Sequence, residues 1–251
     1  MISEEEKKRF DECAKCVLSG KSIQNGIGTL GERTLHAILK QFLEPDTAFH
    51  EQKACGYVAD ILRGDEIIEI QTRAFSSLRK KLSAYRGKYR VTVVYPIDAQ
   101  KYISWIDTET GEVSERHKSP KRGEAWQILR ELYALCPIMP LENVCFKLIF
   151  VNTEEYRVLS GRSRDKKRFG AARYERIPTE LCDIATLEKA EDFKALIPNK
   201  LGDTFTAAEF AKAAKMTLRG AGYAMRVLVT LGVIEHTANE GRAYVYTRKY
   251  K

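Results

Sequence analysis

Two short apolar segments of this chain are separated by nothing more than Gly64 and Asp65. A two-residue linker of this type is typical of a tight β-hairpin, so residues 57–63 and 66–72 are predicted to be paired strands. A hairpin alone cannot bury its apolar face, and it needs further strands or a helix against it. The segment therefore predicts a larger sheet around it.

The sequence on either side of the hairpin supplies those elements. Residues 35–42 have apolar side chains at helical spacing, and residues 76–85 form a second amphipathic segment. Extended patterns occupy residues 48–53 and the β-branched segment 89–95, which ends at Pro96. The order is helix, three strands, helix and strand, and the predicted fold class is α/β.

Acidic and amide side chains interrupt the apolar residues of the hairpin. Alternation along a strand puts Glu69 and Gln71 on one face and Ile70 on the other. Asp60 on the preceding strand lies near Glu69 if the turn sets the register. Two carboxylates among apolar neighbours cost free energy unless a partner compensates them, and such oxygen ligands suit a hard divalent cation. The sequence therefore predicts a Mg²⁺ or Mn²⁺ site.

A third acid, Glu32, lies at the first turn of the preceding helix, from which it could reach the same site. With these acids on helix, strand and strand, the chain resembles the PD-(D/E)XK nuclease superfamily and its restriction-endonuclease-like αβββαβ core. The resemblance implies that Asp60 and Glu69 hold the metal ion, with the Ile70 carbonyl as a further ligand. It also implies that Glu32 assists through water or metal, and that Gln71 belongs to the catalytic motif.

The resemblance covers residues 28–106 and departs from the family at Gln71, where a lysine is usual. A lysine orients the attacking water and stabilises the developing hydroxide, whereas a neutral glutamine only forms hydrogen bonds. The missing charge could come from the metal ion or from Lys53, Arg73 or Lys80. The resemblance predicts a metal-dependent endonuclease that hydrolyses DNA phosphodiesters. The alternative is a catalytically inactive nuclease-fold protein that binds DNA or has a regulatory role.

Basic residues are concentrated in two parts of the chain. Lys and Arg number 42 against 34 Asp and Glu, and residues 162–176 and 200–251 each hold five more basic than acidic residues. Local basic islands on a slightly acidic body favour a polyanionic partner, which is predicted to be DNA. The side chains predicted to contact DNA from the first domain and the first island are Arg73, Lys80, Lys81, Lys166, Lys167 and Arg168.

The C-terminal stretch predicts a second module. Thr206 and Glu209 have the spacing of a capping box before a short helix, and Thr217 can cap a longer one that ends before Gly232. Alternating segments around residues 239–241 predict a hairpin. This order is similar to a winged helix-turn-helix domain, whose longer helix enters a groove of DNA. A winged helix that binds another protein is the alternative. The side chains predicted to contact DNA are Thr217, Arg219, Tyr223, Arg226 and, on the wing, Arg242.

Domain boundaries follow from these elements. An N-terminal helix is predicted in residues 1–20, a nuclease-like domain in 21–160, a basic connecting segment in 161–200 and the winged-helix domain in 201–251. Further elements predicted inside the second region are a helix at 123–135 and separate strands at 102–106, 144–151 and 156–159.

Several functional classes are excluded by the sequence. The apolar runs are too short to span a bilayer, so no membrane contact is predicted. The charged N-terminus lacks a secretory signal, which predicts a cytoplasmic protein with six reduced cysteines. The glycine pattern at residues 26–31 has no preceding buried strand, and Cys13 and Cys16 have no second CxxC pair, so neither a dinucleotide nor a zinc site is predicted. Whether the chain forms a homodimer to cut two strands stays open.

Overall fold

The computed structural model describes residues 2–21, 31–72, 74–107, 110–159 and 171–249, with the backbone alone at 21, 31–33, 159 and 171–173. Arg73 and the basic triplet Lys166, Lys167 and Arg168 lie outside these residues, and so does the side chain of Glu32. The functions predicted for them stay predictions.

The fold is mixed α/β. The α-helices in the described residues are α1 (Glu4–Lys21), α2 (Gly31–Leu43), α3 (Phe75–Tyr85), α4 (Ile128–Leu132), α5 (Ala207–Ala213) and α6 (Leu218–Thr230). The strands are β1 (His50–Ala54), β2 (Tyr57–Arg63), β3 (Glu66–Ile70), β4 (Arg90–Ile106), β5 (His117–Arg122), β6 (Val144–Leu159), β7 (Ala171–Leu187), β8 (Thr204–Thr206), β9 (Ile234–Glu240) and β10 (Ala243–Arg248). In these ranges, no helix is both long enough and apolar enough to span a membrane.

The chain divides into two compact units whose segments interleave along the sequence. Unit 1 comprises residues 1–52, 96–123 and 149–185, and unit 2 comprises residues 53–95, 124–148 and 186–251. Strands β4, β6 and β7 pass from one unit into the other. The units therefore differ from the predicted contiguous domains, because long strands carry the chain through both.

In the described part of the chain, seven strands form a mixed sheet with the order β1-β2-β3-β4-β6-β7, and β5 pairs with β4. β2 and β3 are antiparallel, whereas β3 and β4 are parallel, so α3 lies in the crossover between them. The predicted order of helix, three strands, helix and strand is present as α2-β1-β2-β3-α3-β4. β3 is buried from Ile67 to Ile70, as expected for a strand covered on both faces.

β4 is a single strand of 17 residues, whereas the sequence predicts two strands interrupted at Pro96. Proline lacks the N–H that a ladder needs, so it is tolerated only where no partner accepts from it. The parallel pairing with β3 ends at Val94, and the antiparallel pairing with β5 begins at Gln100. Pro96 falls between these two ladders, and the strand continues through it.

β6 also runs unbroken, although its polar residues 152–155 predict an interruption. Thr153 and Glu155 are buried in unit 1. The Thr153 hydroxyl donates to Asp98 Oδ1 at 2.9 Å, and Lys101 Nζ donates to Glu155 Oε2 at 3.1 Å. Buried polar groups are tolerated when such partners satisfy them, and these partners are distant in sequence.

β7 lies within the predicted connecting segment 161–200, which is therefore part of the sheet rather than a linker alone. Charged residues hide its apolar alternation in the sequence. One of them, Arg176, pairs its guanidinium with the Asp98 carboxylate inside unit 1. A half-buried charge of this kind is tolerated when such an ion pair compensates it.

The predicted helix at 123–135 is shorter and less regular than expected. A 3-10 helix (Ala125–Gln127) leads into α4, and a second 3-10 helix (Tyr133–Ile138) follows it. Gly123 lies outside the helix, and its N–H donates to the Asp98 carbonyl at 2.8 Å. Only glycine fits there, because a Cβ would come within 2.4 Å of the same oxygen. Pro137 lies inside the second 3-10 helix and prevents a longer α-helix.

The C-terminal elements belong to unit 2 and follow the predicted order. Among the described residues, β8, β10 and β9 form a three-stranded sheet in that order. The capping box is present, since Thr206 Oγ1 accepts from the Glu209 N–H at 3.3 Å and Glu209 Oε2 accepts from the Thr206 N–H at 2.7 Å. The buried Phe210 and Leu228 anchor α5 and α6 in the core.

Candidate functional site

The two acids of the predicted metal site lie on neighbouring strands of unit 2. β2 and β3 pair with Ile61 opposite Ile68, and the same register extended by one residue places Asp60 opposite Glu69. Residues directly opposite on antiparallel strands share a face, with Cβ atoms about 5 Å apart. The Gly64 turn has a φ of 60°, a conformation that favours glycine, and it sets this register. The structure thus brings the two carboxylates together.

The backbone of β3 holds the Asp60 carboxylate. Asp60 is half-buried, and the Ile70 N–H donates to its Oδ2 atom at 2.7 Å. Hydrogen bonds from backbone N–H groups to a charged acceptor are short and strong. This bond fixes the carboxylate beside the C-terminal end of β3, where Glu69 and the Ile70 carbonyl also lie.

Glu69 is fully buried, at 0% exposure. Lys81 Nζ donates to its two carboxylate oxygens at 2.9 and 2.8 Å, and the Tyr85 hydroxyl donates to Oε1 at 3.3 Å. Burial raises the pKa of Glu69 to about 7; the bonds from Lys81 oppose this rise, and the charge of Asp60 adds to it. A carboxyl group with this pKa is poised between its protonated and ionised forms at neutral pH, as groups in functional sites often are.

The same environment keeps the Tyr85 hydroxyl protonated. Burial and the neighbouring charge of Glu69 raise the pKa of Tyr85 above its ordinary value. Its ring is buried and packs edge-on against Tyr57, with ring centroids 6.4 Å apart. Tyr85 is therefore a fixed hydrogen-bond donor that orients one oxygen of Glu69.

Helix α3 places Lys81 at this site. Leu78, Leu82 and Tyr85 form its buried stripe, and Lys81 borders that stripe with its side chain 22% exposed. Its ammonium also donates to the Val58 carbonyl at 2.7 Å. Lys81 thus contacts both β2 and β3, and the phosphate contact predicted for it stays a prediction.

The sequence interpretation names Lys81 as a DNA contact but does not identify it as the cation beside Glu69. Of the predicted sources of positive charge, Lys53 and Lys80 are exposed, and Arg73 lies outside the described residues. The signal that points to Lys81 is its spacing: it stands one helical turn before the buried Tyr85, so the two side chains share a face of α3.

Gln71 and Glu32 complete the predicted catalytic set. Gln71 follows β3, is half-buried, and donates its backbone N–H to the Val94 carbonyl at 2.9 Å. The backbone of Glu32 lies in the first turn of α2, which belongs to unit 1. In the part of the chain that the structure describes, no group of three or more His, Cys, Asp or Glu side chains is arranged to hold a metal ion.

Three of the predicted DNA-reading residues at α6, namely Thr217, Arg219 and Tyr223, already have partners within unit 2. The Thr217 hydroxyl accepts from the Gly220 N–H at 3.1 Å and caps the helix. Arg219 Nε donates to the Tyr223 hydroxyl at 2.6 Å. The Tyr223 ring stacks on Tyr133 with centroids 4.3 Å apart, and α6 contacts both α4 and the 3-10 helix Tyr133–Ile138. The face of α6 that carries Tyr223 is therefore partly covered by these neighbouring elements.

Three other predicted contacts present their side chains to solvent. Arg226 is exposed on α6, Lys80 on α3, and Arg242 in the turn between β9 and β10. The turn itself depends on Gly241, whose φ is 59°. Exposed cations of this kind are available for phosphate contacts.

Comparison with known proteins places the chain in a family. A curated protein of Treponema pallidum (strain Nichols), named "Uncharacterized protein", is 29% identical over 235 residues, which cover 89% of this chain and 88% of the relative. No solved structure matches the chain. Residues 33–188, more than half of the chain, match the family described as "Domain of unknown function (DUF8091)", and this range includes Asp60, Glu69 and Lys81. The chain therefore belongs to the DUF8091 family.

Proposed function

We propose that this chain is a metal-dependent deoxyribonuclease of the PD-(D/E)XK type whose site is formed by Asp60, Glu69 and Lys81. The observation that carries the proposal is that the Lys81 ammonium lies 2.8 Å from the Glu69 carboxylate. Glu69 is on β3, whose antiparallel partner β2 carries Asp60. A lysine contributed by α3 would stand in for the one missing at Gln71. The order α2-β1-β2-β3-α3-β4 supports the same proposal.

The oxygen donors of the site fit a hard divalent cation. Carboxylates and backbone carbonyls are the ligands that Mg²⁺ and Mn²⁺ prefer, and Asp60, Glu69 and the Ile70 carbonyl would hold the ion. When bound, the ion supplies a water of lowered pKa and neutralises charge on the phosphoryl and leaving oxygens.

The protein's own side chains would orient this chemistry. Lys81 favours the ionised form of Glu69 by donating to both oxygens, and Tyr85 fixes one of them. An ammonium at this position can also orient a water molecule or a phosphate oxygen beside Asp60. Gln71 would add a neutral hydrogen-bonding group.

A second candidate function is DNA binding without catalysis. The observation that favours it is the complete burial of Glu69 in an ion pair with Lys81, because a carboxylate compensated in this way needs no metal ion. The acid pair and Lys81 would then be part of a scaffold. The C-terminal elements β8, α5, α6, β9 and β10 would form a winged helix-turn-helix domain that binds DNA through Arg242.

Incubation of the purified protein with linear, branched and single-stranded DNA in Mg²⁺ or Mn²⁺ tests the proposal. Wild-type protein should cut at least one of these substrates. Asp60→Ala should abolish cutting and leave DNA binding intact. Asp65→Ala is the matched control, because Asp65 is an exposed acid on the turn of the same hairpin and should be dispensable for cutting.

Each outcome decides between the candidates. Cutting that survives in Asp60→Ala would place the catalytic site elsewhere. DNA binding that weakens steeply with salt, without cutting of any substrate, supports the second candidate, because phosphate contacts release counterions. Protein that neither binds nor cuts DNA contradicts both.

A further inference from the structure

A groove of about 790 Å³ opens in unit 2 between α3, the 3-10 helix Tyr133–Ile138 and α6. Arg79 lines it from α3, two residues before Lys81 and thus on nearly the opposite side of that helix. Arg226 lines it from α6. No acidic side chain is found among the described residues that line the groove, so its charge suits an anionic ligand.

The wall of the groove contains a pair of stacked tyrosines. The rings of Tyr133 and Tyr223 lie 4.3 Å apart at an interplanar angle of 26°, and Tyr133 is 41% exposed. Arg219 fixes the hydroxyl of Tyr223 and lies with its guanidinium 5.7 Å from that ring. An exposed aromatic face among cations is the arrangement on which unpaired bases stack.

Gly222 opens the floor of the same groove. A glycine inside a helix costs about 1 kcal/mol relative to alanine. At Gly222, apart from the two neighbouring residues and the adjacent backbone of α6 itself, no atom of the described residues comes within 4 Å of the position a Cβ would occupy, so packing against other elements does not require the glycine. Glycine at such a position allows a ligand to approach the helix backbone closely.

We infer that this groove binds unpaired nucleotides of single-stranded DNA. A base stacks on Tyr133, and the sugar-phosphate chain passes over Gly222 between Arg79 and Arg226. The inference rests on the proposed function and adds to it the class of substrate, which is DNA with a single-stranded part. A helix must present a free face to enter the major groove of a duplex, and Tyr223 on this face of α6 is already stacked on Tyr133.

Fluorescence anisotropy with a dye-labelled oligothymidine of about 12 nucleotides, within the site sizes of single-strand binders, tests the inference. EDTA is present throughout, so that binding is measured without cutting. The single strand should bind about tenfold more tightly than a duplex of equal length. Tyr133→Ala and Gly222→Leu should each weaken single-strand binding about tenfold, as expected from the loss of one base–aromatic stack.

Two controls match these variants. Tyr102→Ala removes a tyrosine that also contacts an arginine, with the Arg116 guanidinium 3.8 Å from its ring, but in unit 1. Val229→Ala changes an exposed residue of α6 that does not line the groove. Both should bind the single strand within about twofold of wild type, as expected for surface changes away from a binding site.

Equal affinity for duplex and single strand would overturn the inference, as would wild-type binding by Gly222→Leu. That variant should fold even if Tyr133→Ala does not, because leucine favours a helix and its side chain enters open space. Thermal melting verifies folding of each variant. Because EDTA prevents cutting, this experiment measures binding alone. A negative result would refute single-strand binding in the groove but not the nuclease proposal, which the cleavage screen with Asp60→Ala tests separately.

Discussion

Replacing Lys81 by methionine tests whether its ammonium compensates the buried charge of Glu69. Methionine keeps the apolar stem but removes the donors that lie 2.9 and 2.8 Å from the two carboxylate oxygens. Glu69 can avoid an uncompensated buried charge by binding a proton. We therefore expect the variant to lose stability in a pH-dependent manner.

The magnitude follows from the pKa of Glu69, which burial raises from 4.5 to about 7. The folded state binds more protons than the unfolded state between these values, so the free energy of unfolding falls as the pH rises through this window. At about 1.4 kcal/mol per pH unit, the fall attributable to Glu69 in the wild type is about 3 kcal/mol. In Lys81→Met the pKa of Glu69 rises further, so the fall continues above pH 7 and adds up to about 2 kcal/mol by pH 8.5.

Urea denaturation followed by far-UV circular dichroism at pH 5.5 and 8.5 measures this difference. The gap between Lys81→Met and wild type should widen by up to about 2 kcal/mol from the lower to the higher pH. Lys80→Met is the matched control, because Lys80 is exposed on the same helix and should change stability by no more than about 0.5 kcal/mol at either pH. A Lys81→Met gap that is equal at both pH values would refute the reasoning.

Three further predictions concern the fold, and denaturation of the full chain checks each. Thr206→Ala should cost about 1 kcal/mol, because the hydroxyl that accepts from the first turn of α5 is lost; unchanged stability would mean that the capping box contributes nothing. Phe146→Ala should lower the free energy of unfolding by about 3 to 5 kcal/mol, because removal of this buried ring leaves a cavity. The control Val58→Ala changes an exposed residue and should lower it by less than about 0.5 kcal/mol. Similar values for the two variants would contradict the burial argument. Asp98→Ala should lower the free energy of unfolding by about 3 kcal/mol, because it removes the carboxylate that pairs with Arg176 in unit 1. A decrease of less than about 1 kcal/mol would show that the ion pair is solvated.

Local patterns predicted the elements between residues 35 and 95 because their signals are short-range. The hairpin follows from Gly64-Asp65 and alternating apolar residues, and β2 has the predicted bounds. The errors lie in the long strands, where Pro96 and the polar residues 152–155 predict breaks. Those breaks are absent because the ladder partners of β4 change around Pro96 and because Asp98 and Lys101 satisfy the buried polar groups of β6.

In the candidate site, too, the local contacts were predictable and the contacts between distant segments were not. The proximity of Asp60 and Glu69 follows from the hairpin register, which two residues of turn determine. Lys81 was not identified as the partner of Glu69, because that contact joins α3 to β3 across the crossover. The partner of Tyr223 is likewise a tertiary contact, since Tyr133 lies 90 residues earlier in the sequence.

The sequence by itself determined the positions of the turns, the helix caps and the alternating apolar and polar residues. It therefore determined which acids share a face of the hairpin. Only the tertiary structure decided which cation compensates Glu69, which face of α6 is covered, and that β4, β6 and β7 run through two units. The physical reason is range: turn and capping preferences act over a few residues, whereas the partners of buried charges and aromatic rings are brought together by packing of distant segments.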